Sequence, residues 1–107
     1  MTNVTEDYYG ELVQRITKNL LDVQILRLID TQPMWGYMIK KQAEAKFNVK
    51  LRHGALYPLL NALERRGFLI SHKQQQGGRT RKVYTITPKG EEYIGTYNKI
   101  LREQTQK

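Results

Sequence analysis

LYPLLNALERRGFLISHKQQQGGRTRKVYTITP, residues 56–88, changes its hydrophobic period halfway along. In its first part Leu56, Leu59, Leu60 and Leu63 fall on one side of a helix. Arg65-Arg66-Gly67 closes that helix, because cations suit the negative end of the helix dipole and glycine accepts the left-handed conformation wanted just beyond it. Phe68-Leu69-Ile70-Ser71 and Val83-Tyr84-Thr85-Ile86-Thr87 are rich in β-branched and aromatic residues and read as two strands. Between them the polar stretch Gln74 to Lys82 holds Gly77-Gly78, and the turn region carries Lys73, Arg79, Arg81 and Lys82 with no acid. It reads as a flexible loop projecting cations from two anchored strands. A helix followed by a basic hairpin is the wiring of a winged helix-turn-helix.

Upstream, nothing between residues 5 and 31 breaks a helix except Gly10, so one helix is expected there, ended by Pro33. Leu12, Ile16, Leu20 and Val23 form one apolar stripe on it, and Leu21, Ile25, Leu28 and Ile29 form another. Two stripes imply two buried faces, one for its own core and one for something else. Gly36 opens a second helix, residues 36–47, with Ile39, Ala43 and Phe47 inward and Tyr37, Lys40, Lys41 and Glu44 outward. Trp35, just before it, reads as a packing plug. The third helix, residues 53–66, turns its leucines inward and shows His53, Tyr57, Asn61 and Glu64, with Arg52 at its start and Pro58 in its first turns.

Downstream, Thr87-Pro88 pairs an N-cap with a first-turn proline and starts a last helix over residues 88–104. Tyr93, Ile94, Tyr97, Ile100 and Leu101 run along one side of it, a long apolar face for so small a core. The expected fold is thus one domain over residues 1–107, mainly α with a small antiparallel β-hairpin. It is a winged helix-turn-helix with amino-terminal and carboxy-terminal dimerisation helices, Leu12, Ile16, Leu20, Tyr93, Tyr97, Ile100 and Leu101 forming a two-fold interface. Packing of both helices within a single subunit is the competing account.

The net charge of +8 is unevenly placed. Residues 36–90 hold twelve lysines and arginines against Glu44 and Glu64, whereas the first thirty residues carry a slight acidic excess. A polyanion suits such a patch, and DNA, RNA and an acidic membrane surface all qualify, while a solvated basic face is the bland alternative. The chain has no cysteine, which excludes disulfides, thiolate chemistry and cysteine zinc sites. No apolar run approaches the ~20 residues that span a bilayer, and no signal-peptide core is present, so a cytoplasmic protein without membrane contact is expected. His53 and His72 are the only histidines, with no carboxylate cluster or phosphate cradle beside them, so no enzyme, metal or cofactor is expected.

On the third helix, Arg52 could pair bidentately with guanine and Asn61 with adenine, while Tyr57 and His53 lie within reach of the backbone. The hairpin cations Lys73, Arg79, Arg81 and Lys82 could follow a phosphate ridge or enter a minor groove, if they are not simply a mobile hairpin in solvent. A dimer would set two third helices about 34 Å apart on a near-palindromic duplex. The rival use of this fold is a protein-interaction or RNA-binding module, which salt dependence would separate from duplex binding.

Four motifs in order, Leu51-Arg52-His53-Gly54-Ala55-Leu56-Tyr57-Pro58-Leu59-Leu60, Leu63-Glu64-Arg65-Arg66-Gly67-Phe68-Leu69, Gly77-Gly78-Arg79-Thr80-Arg81-Lys82-Val83-Tyr84 and Ile86-Thr87-Pro88-Lys89-Gly90, closely resemble PadR-type transcriptional regulators. Gly36-Tyr37-Met38-Ile39 is similar to the Gly-Tyr-x-Ile that opens the family's second helix. The resemblance implies a dimeric winged-helix protein, usually a repressor, of the short class with a single carboxy-terminal helix. It implies DNA contact at Tyr37, Tyr57 and residues 77–82, and completes an expected set with Lys40, Arg52, His53, Asn61 and Lys73. Ala55 stands where the family usually has threonine, so a hydroxyl able to hold a phosphate is missing. Some relatives bind flat aromatic effectors between subunits, and Tyr93 and Tyr97 are the residues here that could serve one.

Overall fold

Five helices and three strands follow one another as α1 (Val4–Asn19), α2 (Leu21–Thr31), β1 (Met34–Trp35), α3 (Gly36–Phe47), α4 (His53–Arg65), β2 (Leu69–Gln76), β3 (Arg79–Ile86) and α5 (Pro88–Thr105). The computed structural model describes residues 4–106, and the side chains of 8–75 and 77–106. The architecture is mainly helical with a small antiparallel sheet of order β1-β3-β2. Leu56, Leu60 and Leu63 of α4 are buried as their spacing requires, against Ile39 and Ala43 of α3, the apolar residues of α2, and Leu69 and Tyr84 of the sheet.

The single helix expected over residues 5–31 is two. Leu20 leaves helical geometry (φ −122°, ψ 39°), although its N–H still donates to Ile16 O at 2.9 Å and its carbonyl accepts from Gln24 N at 3.1 Å. The break divides the first stripe, leaving Leu12 and Ile16 on α1 and Val23 on α2, whereas the second stripe lies wholly on α2. On α2, Val23, Ile25, Leu26, Leu28 and Ile29 are all buried, so this helix is central to the domain and its apolar residues serve its own core. On α1, Leu12 and Ile16 remain 50% and 45% exposed.

A third strand was not expected. Gln32 is fully extended (φ −170°, ψ 155°), the geometry a residue preceding proline adopts. The chain then runs along the free edge of β3, pairing Met34 with Tyr84 and Trp35 with Val83. Trp35 is thereby a half-buried strand residue rather than an interior plug.

The wing is also more ordered than a loop over residues 74–82 would be. Pairing of β2 with β3 continues unbroken from Leu69↔Ile86 to Gln76↔Arg79. Only Gly77 and Gly78 remain as the turn, both at positive φ (53° and 79°), which is the type I′ geometry whose twist matches that of a hairpin. The cations therefore stand on a paired ribbon.

Glycine also ends α4. Gly67 adopts φ 81°, Phe68 N–H donates to Leu63 O at 3.0 Å and Gly67 N–H to Glu64 O at 2.9 Å, the paired bonds of a Schellman closure. Pro58 is the sixth residue of α4, in its second turn. The bond it forgoes would have gone to Gly54, which is exposed to water. Thr87 caps α5 by accepting from Gly90 N–H at 3.1 Å, and donates its own hydroxyl proton to Gly67 O at 2.6 Å. One side chain thus ties the end of α4 to the start of α5.

Candidate nucleic-acid interface

Where β1 ends and α3 turns away, the start of α3, the outer side of α4 and strand β3 enclose an open groove of about 350 Å³. Five of the expected DNA-contacting residues meet there: Tyr37, Tyr57, Asn61, Arg81 and Lys82. Trp35, Gly36, Thr80 and Tyr84 complete its lining. Arg52 and His53 lie just outside, at the start of α4, and His53 stacks on Tyr57 with ring centres 5.6 Å apart. Lys73 and Arg79 are exposed on the ribbon. Lys40 is not in the groove; it is half-buried and ion-paired with Glu44 at 3.8 Å.

Tyr57 lies directly against the backbone of Gly36. A Cβ at that position would stand 2.6 Å from the phenol oxygen and 2.8 Å from Cε1, well inside van der Waals contact. The lack of a Cβ is what lets the ring come so close, since the φ of Gly36 is not in the left-handed region and no backbone strain calls for glycine there.

Both acids of the basic stretch are engaged within the fold, against the outward placement expected for them. Glu44 accepts from Leu51 N–H at 3.0 Å and so fixes the link into α4. Glu64 accepts from the Ser71 hydroxyl at 2.6 Å and pairs with Lys82 at 3.5 Å. The Glu64–Lys82 pair also eases a conflict in the ribbon, where Lys73 and Lys82 are direct cross-strand partners. Like charges so placed are destabilising unless an anion lies near. Burial pushes the Tyr84 phenol above its ordinary pKa, the nearby Lys82 ammonium opposing this, so its hydroxyl stays neutral beneath that cation.

Arg81 is held differently. Its guanidinium lies over the Trp35 ring, 4.5 Å from the centroid, and makes no salt bridge among the described residues. Arg81 Nε and Trp35 Nε1 are buried donors without an acceptor among those residues, each at a cost of about 1–3 kcal/mol. The sequence reading placed Arg81 on the wing but gave Trp35 no part in the site, and only the pairing of β1 with β3 brings the two together.

The residues expected at a subunit interface divide. Leu12, Ile16, Ile100 and Leu101 are exposed large apolar side chains, as are Tyr8 and Tyr9 of α1. Leu20 is half-buried. Tyr93 packs on its own chain, stacked on Phe68 at 4.5 Å with Arg66 5.0 Å above its ring. Tyr97 is covered by Arg27 at 5.5 Å, and Arg27 also donates to Asn98 of α5. Among the described residues there is no group of three metal-ligating side chains, and no helix is long and apolar enough to cross a membrane.

Comparison with known proteins agrees with this geometry. The sequence profile of the transcriptional regulator PadR-like family matches residues 25–96. A curated transcriptional regulator of Mycobacterium tuberculosis is 34% identical over 62 residues, which is 58% of this chain and 58% of that protein's length. A PadR-like transcription factor from Bacteroides fragilis superposes with a TM-score of 0.74 at 25% identity, over 88% of this chain and 91% of the other. PadR of Bacillus subtilis, solved in complex with operator DNA, superposes with a TM-score of 0.68 at 26% identity, over 73% of this chain and 46% of that one. The match to the family runs from within α2 to within α5 and so takes in the groove and the wing described above, and the chain belongs to the PadR-like family of transcriptional regulators, which are not enzymes.

Proposed function

We propose that the protein is a cytoplasmic, homodimeric repressor that binds a near-palindromic operator through α4 and the β2–β3 ribbon. The observation that carries this reading is the groove, in which Tyr37 from α3, Tyr57 and Asn61 from α4, and Arg81 and Lys82 from β3 converge. Tyrosine and cations hold phosphates, while asparagine can read adenine, so positioning and readout groups stand side by side. The operator complex of the Bacillus subtilis relative supports duplex DNA as the partner. Support for the dimer comes from the apolar side chains left exposed on α1 and α5. Occlusion of a promoter is the mode of repression. Tyr93 and Tyr97 are committed to Phe68, Arg66 and Arg27, so an aromatic effector forms no part of the proposal.

The test is affinity for duplex DNA as a function of salt. Replacing Arg79, Arg81 and Lys82 together by alanine should weaken binding to every sequence and flatten the log-log salt slope by about 0.9 for each phosphate that is no longer neutralised. Arg52→Ala or Asn61→Ala should instead erode discrimination between the operator, located by footprinting upstream of the protein's own gene, and random DNA. Wild-type binding that ignores salt would point to a protein-interaction module, and tighter binding to RNA than to duplex DNA would overturn the operator reading.

A further inference from the structure

We propose that Trp35 is a positioning residue for DNA binding: its indole holds the Arg81 guanidinium at the groove, and a backbone phosphate of the duplex completes the pair. This rests on duplex DNA being the polyanion that the groove receives. Trp35 pairs with Val83 across the sheet, and Arg81, two residues along β3, lies on the same face of the strand because side chains alternate. The ring is therefore a diagonal neighbour of the arginine and lies beneath its guanidinium. An arginine so stacked has already given up the side-chain freedom that binding would otherwise remove.

Arg81 still lacks a counter-ion among the described residues. Glu64 is engaged by Lys82 and Ser71, and Glu44 by Lys40 and the Leu51 amide. Arg27 also stacks on an aromatic ring, but it bonds to Asn98 and lies outside the groove. Among the described residues Arg81 is thus a half-buried cation lining the groove with only a π face for company and an unpartnered Nε. A planar guanidinium matches two oxygens of a phosphate diester. The first residues of α3, Gly36 and Tyr37, line the same groove, and no side chain caps that helix, so the positive end of its dipole favours the same anion.

The experiment is a mutant cycle on the full chain with a labelled random-sequence duplex at low salt, so that no operator need be known. Trp35→Leu and Arg81→Ala should each weaken binding about tenfold and lower the salt slope by about 0.9, the contribution of one phosphate. The double variant should bind no more weakly than Arg81→Ala alone. Trp35→Phe, which keeps a π face, should return to within about threefold of wild type. Additive losses in the double variant, or an unchanged slope in Trp35→Leu, would overturn the proposal. A second measurement leaves the ring in place: Trp35 is the only tryptophan, so its emission should shift when wild-type protein is saturated with duplex, and by clearly less in Arg81→Ala at saturation, where the ring feels the duplex only as part of the groove lining. An unmoved wild-type signal, or an equal shift in Arg81→Ala, would sink the coupling while leaving DNA binding intact. Absence of wild-type duplex binding would instead remove the functional reading beneath it.

Discussion

A single hydrogen atom on Gly36 decides where Tyr57 can sit. With alanine there, the new methyl would collide with the far end of a side chain that is 40% exposed and free to swing out. Gly36 is the first residue of α3, where alanine is also the better helix former, by up to about 1 kcal/mol. Gly36→Ala should therefore leave thermal stability within about 1 kcal/mol of wild type yet weaken duplex binding about tenfold, because the phenol no longer lines the groove. Thermal denaturation and fluorescence anisotropy on the same preparation check both halves. Gly90→Ala is the contrasting control: its Cβ would meet the Phe68 carbonyl and Ile86, and backbone cannot swing aside. Tyr57 and Asn61 were legible in the sequence because a leucine stripe fixes the opposite side of their helix. The contacts of Gly36 with Tyr57 and of Trp35 with Arg81 were not, because each joins residues far apart in sequence across a boundary that no periodicity marks.

Between elements, Thr87 bears on two chain ends at once, capping α5 and bonding to the glycine that closes α4. Thr87→Ala should cost about 1–2 kcal/mol, at the upper end of the range for removed caps because the Gly67 carbonyl is deprived as well. Serine should restore most of it. Urea denaturation of the three proteins decides the matter, and an alanine variant as stable as wild type would show that water replaces both bonds. This start of α5 was readable from Thr87-Pro88, as was the end of α4 from Arg65-Arg66-Gly67, since both rest on local chemistry. The break at Leu20 was not, because leucine favours helix and the backbone bonds continue on either side of it. Strand β1 was equally hidden. Two residues are too few to show alternation, and Met34-Trp35 is extended because an open edge of β3 lies beside it to pair with.

At the scale of the whole molecule, charge and apolar surface are sorted onto different parts. The basic groove is built from α3, α4 and β3, whereas the large apolar side chains left in water are concentrated on α1 and α5. The chain carries one α4 and one β2–β3 ribbon, so one copy offers a single reading element to a duplex whose successive major-groove faces are about 34 Å apart. Two copies joined through α1 and α5 would bind the second half-site at an effective concentration set by their linkage, multiplying affinity without any new contact to DNA. Leu12→Glu combined with Ile100→Glu tests this arrangement. Both residues are about half exposed in the single chain, and substitutions at such positions typically change stability by no more than about 0.5 kcal/mol each. Two carboxylates facing their own copies across a two-fold axis should nevertheless split the dimer. Sedimentation should then report a dimer for wild type and a folded monomer for the variant. Binding to the full operator should fall about a hundredfold, while binding to an isolated half-site stays within about twofold. A wild-type chain that sediments as a monomer at tens of micromolar, or a variant that remains dimeric, would remove α1 and α5 from the interface and return their apolar residues to the surface of a single subunit.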